Sequence, residues 1–187
     1  MKRFFRLALP LALALSVCAG AVPAADEPVS IEQAEQRLRE AMALHEANKD
    51  AVALGMAQLD YAELIGSGAF RRTPVTQARF EALGGGAGIA GSVRHYNAEA
   101  ARVLQDFLNA EVRPGDAWAR TQAALALMEA YARLHDRARA CLALPHAYMN
   151  FPKAKLGSAS YRLYPPGANF RQHLAERQLR LGCEYVM

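Results

Sequence analysis

Apolar residues recur at helical spacing along most of this chain. Ile31, Ala34, Leu38, Ala41, Met42 and His45 fall on one side of a 3.6-residue period, with Glu32, Gln36, Arg39 and Glu40 on the other. Ser30 and Gln33 have the spacing of a capping box ahead of that stripe. Asn48 to Asp50 reads as a tight turn, and Asp50 caps a second helix carrying Val52, Met56, Leu59, Leu64 and Ile65. Gly66-Ser67-Gly68 ends it, and so short a connection predicts an antiparallel helical hairpin.

The pattern continues with a short helix opened by Thr73-Pro74 and running to Leu83. The glycine-rich stretch from Gly84 to Ser92 is expected to break it. A further helix, starting between Val93 and Ala98 and reaching Val112, turns Val103, Leu104, Phe107 and Leu108 inward. Arg113-Pro114-Gly115-Asp116 is a turn whose aspartate is expected to cap the longest segment. That segment carries Trp118, Leu125, Met128, Tyr131, Leu134 and Leu142, bends near His135-Asp136 and stops at Pro145. Between Pro145 and Gly167 periodicity is lost, prolines recur and aromatics gather. A last helix follows, with Asn169 and Gln172 as a capping pair and Gly182 as its left-handed stop.

Alanine is abundant while valine and isoleucine are sparse, which favours helices over strands. The expectation is an all-α, single-domain bundle of five to six helices over residues 25–187. It carries an irregular aromatic-rich flap near the C-terminus and one disulfide.

Residues 1–24 have a different character. Lys2, Arg3 and Arg6 precede an apolar run from Leu7 to Val17, and Val22-Pro23-Ala24 offers a small-x-small cleavage site. That order is a secretory signal peptide, and its apolar run is too short to span a bilayer. The expected location is the periplasm or the exterior, with no integral membrane span. Lipid attachment at Cys18 is the alternative, disfavoured by the bulky Val17 before it.

Removing the leader changes the charge. The full chain has 22 Lys plus Arg against 18 Asp plus Glu; three of the bases lie in the leader, leaving 19 against 18. A nearly neutral protein lacks the basic surface that nucleic-acid binding needs. The nearby Arg133, Arg137 and Arg139 are interrupted by Asp136 and read as a solvated helix face. Cys141 and Cys183 remain, without a CxxC spacing, and in an oxidising compartment such a pair forms a structural bridge. The bridge is expected to join the carboxyl ends of the long and last helices and to staple the flap between them.

Catalytic motifs are not evident. Gly86-Ala87-Gly88-Ile89-Ala90-Gly91 matches GxGxxG, but a predicted helix rather than a strand precedes it, so it reads as a flexible interhelical loop. His45-Glu46 has Lys49 where a zinc-protease helix needs its second histidine. No cofactor motif is present. Tyrosine and arginine are frequent binding anchors, and four of the seven tyrosines follow Pro145. The candidate binding residues are therefore Tyr148, Phe151, Tyr161, Arg162 and Tyr164. The functional expectation is an exported, non-catalytic protein-binding module of the inhibitor, immunity or envelope-assembly adaptor type, whose partner is another envelope or secreted protein. Two alternatives stand beside it. One is a peptidoglycan-acting enzyme using a lone glutamate among Glu81, Glu99, Glu111 and Glu129. The other is a small-ligand or copper carrier using His135, His146 and Met149 near Cys141.

Overall fold

A computed structural model of the chain describes residues 30–68, 74–151 and 169–184. Among them are seven helices and no strand: α1 (Ile31–Ala47), α2 (Ala51–Gly66), α3 (Pro74–Ala82), α4 (Gly85–Asn109), α5 (Ala117–Arg133), α6 (Arg137–Asn150) and α7 (Phe170–Leu181). The expected leader and much of the expected flap lie outside the described residues. None of the described helices is long and apolar enough to cross a membrane.

Local chemistry explains the helix starts. The Ser30 hydroxyl accepts from the Gln33 amide, and the Gln33 side chain accepts from the Ser30 amide. Asp50 caps α2 by accepting from Ala53 N, and Asn169 caps α7 by accepting from Arg171 N and Gln172 N. The reciprocal bond expected of Gln172 does not form; its side-chain amide nitrogen donates to Glu176.

One turn is built twice. Lys49 and His135 both take a left-handed backbone, at φ 55° and 60°. The following aspartates donate their amides back five residues, Asp50 to His45 O and Asp136 to Tyr131 O, each at 2.9 Å. Asp136 then caps α6 by accepting from Arg139 N. The expected long helix is therefore two antiparallel helices, and the described residues hold seven helices rather than five or six.

Three other expectations fail for tertiary reasons. The glycine run is not a loop but the opening of the 25-residue α4. Gly84, at φ 86°, reverses the chain after α3, and a Cβ at Gly88 would overlap the carbonyl of Leu83. The glycines there provide close approach of two helix ends rather than flexibility. Pro145 does not stop a helix but lies inside α6, where Ala140, Ala143, Leu144 and Ala147 are buried on one face. That packing offsets the amide hydrogen bond proline cannot make, a loss worth about 3 kcal/mol in an exposed helix. Asp116 makes no cap bond to α5; its carboxylate accepts from Arg113 N and closes the preceding turn.

The main core is held by α2, α4, α5 and α6, with Leu59, Leu104, Leu125, Leu127, Met128, Leu144 and Leu174 of α7 at its centre. Helix α5 is buried on nearly every side, since Ala123 through Met128 are all inaccessible. A smaller cluster of Leu38, Tyr61 and Ile65, flanked by Phe80 and Tyr96, joins α1 and α3 to the rest. Cys141 and Cys183 form the expected disulfide, with Cα atoms 5.6 Å apart. Cys141, however, lies near the start of α6. The bridge thus ties the opening of α6 to the residue just past α7, and the Arg137 guanidinium donates to the Gly182 carbonyl beside it.

Candidate binding cleft and surfaces

One charged residue sits on the inward stripe of α1, Glu35. It is buried among Tyr61 of α2 and Arg79 of α3. Arg79 donates to both carboxylate oxygens, through Nη2 at 2.6 Å and Nε at 3.1 and 3.2 Å. Tyr61 donates its hydroxyl to Oε1 at 2.9 Å and accepts from Arg39, which also pairs with Glu35 at 3.0 Å. Burial alone pushes the Glu35 carboxyl up. The bonds from Arg79 and Tyr61 and the charges of Arg79 and Arg39 outweigh it and hold the group below the ordinary carboxylate range. For Tyr61, burial pushes the phenol up, and Glu35 adds to that against the bond from Arg39. This constellation ties three helices together around one carboxylate.

A second constellation is open to solvent. Helices α2, α5 and α7 enclose a cleft of about 300 Å³. Met56 and Leu59 give it apolar wall, and Arg133, Arg177, Arg180, Glu63 and Glu129 give it charge. Arg133 is held from three sides. It donates to Glu129 Oε1 at 3.0 Å, to the Leu59 carbonyl at 3.0 Å and to Glu63 Oε2 at 2.9 Å. Arg133 is therefore not part of a solvated face; Arg137 and Arg139 stay exposed as expected, Arg137 reaching the Gly182 carbonyl and Arg139 pairing loosely with Asp136 and lying over the Tyr131 ring. Arg177 donates from Nε to His173 Nε2 at 3.1 Å and stands 3.5 Å from Glu129 Oε2. Burial lowers the affinity of the Arg177 guanidinium for its proton; the Glu129 charge opposes that and the neighbouring Arg180 adds to it.

The sequence-derived candidates are dispersed. Tyr148 is half-buried and packs on the main core. Phe151 stacks on Phe170 of α7, with ring centres 3.5 Å apart and planes within 5°, so one face of it serves the fold. Tyr161, Arg162 and Tyr164 lie outside the described residues. Among the glutamates, Glu81 accepts from Gln77 on an exposed surface, and Arg102 binds Glu99 and holds its carboxyl below the ordinary range. Glu111 is exposed, and Glu129 lines the cleft between Arg133 and Arg177. Among the described residues no three His, Cys, Asp or Glu side chains converge as a metal site, and Cys141 is in the disulfide. His135 serves the α5–α6 turn.

The outer side of α6 is the least expected surface. Leu142 and Met149, two turns apart on one stripe, are 71% and 58% exposed, while the opposite face of the helix is buried. Leu179 of α7 is also exposed. Comparison with protein-family models, with curated proteins and with solved structures found no match.

Proposed function

We propose that the chain is an exported, non-catalytic protein-binding module of the cell envelope, of the inhibitor, immunity or assembly-adaptor type. The observation that carries the binding reading is the two-faced α6. One face packs into the core, and the other presents Leu142 and Met149 to solvent on a helix fastened by the disulfide. Exposed apolar side chains aligned on a rigid helix fit a protein partner better than a small polar substrate. Export is supported by the leader at residues 1–24 and by a bridge of the kind that persists in oxidising compartments. The lone-glutamate alternative gains nothing from the geometry, because the glutamate buried among the described residues, Glu35, is held ionised by its arginines.

The test is capture by the mature, oxidised protein from its own envelope extract. A partner of defined stoichiometry is expected, lost with Leu142→Glu plus Met149→Glu and retained with the exposed Leu44→Glu, all three proteins keeping their circular dichroism. No stoichiometric partner, or equal capture by the α6 variant, overturns the reading. Intact mass of the periplasmic protein tests export separately, through loss of the leader.

A further inference from the structure

The cleft between α2, α5 and α7 carries an unbalanced charge in a shaped space. Three arginines face it against two glutamates, which leaves one positive charge uncompensated. The excess belongs to α7. Arg133 is paired with both glutamates and also donates to the Leu59 carbonyl. Arg177 retains donors beyond its bond to His173 and its 3.5 Å pair with Glu129, and Arg180 has no hydrogen-bond or ion-pair partner among the described residues. Two guanidiniums one helical turn apart repel each other unless an anion lies between them. Beside them, the partly buried Met56 offers an apolar surface that takes no hydrogen bond from a ligand.

We propose that this cleft is a carboxylate site, in which Arg177 and Arg180 clamp one monoanionic carboxylate whose apolar stem rests on Met56. The planar, two-oxygen carboxylate matches the fork of a guanidinium. The charge balance selects a monoanion over a phosphate dianion. One negative charge neutralises the cleft, whereas a second would face Glu63 and Glu129 without compensation. The volume of about 300 Å³ sits at the small end of ligand sites and fits one side chain or one short acid. The carboxylate comes either from an acidic residue of a protein or from a free short-chain acid. The site does not use the α6 stripe, so it stands or falls apart from the partner reading.

The test is a titration of the mature, oxidised protein followed by amide nuclear magnetic resonance. The probes are hexanoate, hexan-1-ol, inorganic phosphate and an N-acetylated, C-amidated Leu-Glu-Leu peptide. At least one carboxylate probe is expected to give saturable shifts in α7 around Arg177 and Arg180 and in α5 around Glu129, with none from the alcohol. Arg180→Gln, at an exposed position without a partner among the described residues, weakens that binding about fivefold, and added salt weakens it further. Tighter binding of the peptide assigns the carboxylate to a protein, and equal or tighter binding of hexanoate assigns it to a free acid. Phosphate binding more tightly than both, unchanged binding in Arg180→Gln, or no saturable shift from either carboxylate overturns the proposal. Leu142→Glu plus Met149→Glu leaves the hexanoate and peptide affinities as they are.

Discussion

The Tyr61 hydroxyl donates to Glu35 Oε1 at 2.9 Å, joining α2 to α1 across 26 residues of chain. Arg79 completes the contact from α3, so one carboxylate fastens three helices. Because Glu35 is held below the ordinary carboxylate value of 4.5, its contribution is fully present above that pH. It is lost as pH falls through the lower, folded value and the carboxyl takes up its proton. Thermal unfolding measured across pH 2 to 7 is expected to show a decline below pH 4.5 that is shallower in Glu35→Gln. At neutral pH the same substitution costs about 2 kcal/mol, since two arginines lose their charged acceptor. Tyr61→Phe costs about 1 kcal/mol and leaves the acid-dependent decline in place.

Arg120 of α5 stabilises by a different route. It is buried, has no carboxylate partner among the described residues, and donates to the carbonyls of Phe107, Leu108 and Ala110 at the end of α4. Those carbonyls have no acceptor role inside their own helix, and the helix dipole places partial negative charge on them. Arg120→Met keeps the aliphatic stem and removes the donors. It is expected to cost about 3 kcal/mol in urea unfolding, and hydrogen exchange should quicken first in the last turn of α4. Uniform loss of protection across the molecule would mean that Arg120 acts through general packing instead.

What the sequence made legible was local. Ser30, Asp50 and Asn169 cap because a short polar side chain one turn from an unpaired amide needs no distant partner. Gly182 stops α7 for an equally local reason, its left-handed backbone. The misread elements are those where a neighbouring helix decides. Pro145 is tolerated because α6 packs on α5, and the glycines after Leu83 open a helix because α3 and α4 end against each other. The break at His135 had a visible precedent in Lys49-Asp50, where a non-glycine residue turns left-handed ahead of a capping aspartate.

The cleft was illegible for the same reason. Arg133 and Arg177 are 44 positions apart, and each reads as part of a charged, solvated helix face until α5 and α7 are brought together over Glu129. Glu35 left more of a trace, as an acid on the inward stripe of an amphipathic helix. Of the aromatic residues singled out by composition, Tyr148 and Phe151 contribute to packing.

The Cys141–Cys183 bridge encloses a long stretch of chain, with the cysteines 42 positions apart. In the chain-entropy view its main effect is to restrict the unfolded state, by about 4 kcal/mol for a loop of this length. Cys183→Ser is therefore expected to lower the stability measured by urea unfolding by about that amount. The helical circular dichroism of the folded state should change little, because Leu144 and Ala147 of α6 and Phe170 and Leu174 of α7 stay buried in the core without the bridge. A cost below about 1 kcal/mol would mean that the unfolded chain is already compact around this segment.

Two helical glycines separate backbone preference from packing. Glycine inside a helix is ordinarily worse than alanine by about 1 kcal/mol. At Gly91 of α4 an added Cβ meets nothing within 4 Å, so Gly91→Ala is expected to stabilise by about that amount. At Gly55 of α2 the same Cβ would stand 2.6 Å from Leu104 Cγ and 2.9 Å from its Cδ2. Leu104 is completely buried and cannot swing away, so α2 and α4 must separate. Overpacking of that kind costs about 1 to 3 kcal/mol and reverses the sign expected from helix propensity. A double-mutant cycle isolates the cause. In a Leu104→Ala background the obstruction is gone and the new methyl fills part of the space left behind, so Gly55→Ala should become neutral or stabilising. A cost that persists in that background would place the constraint on the α2 backbone rather than on its contact with α4.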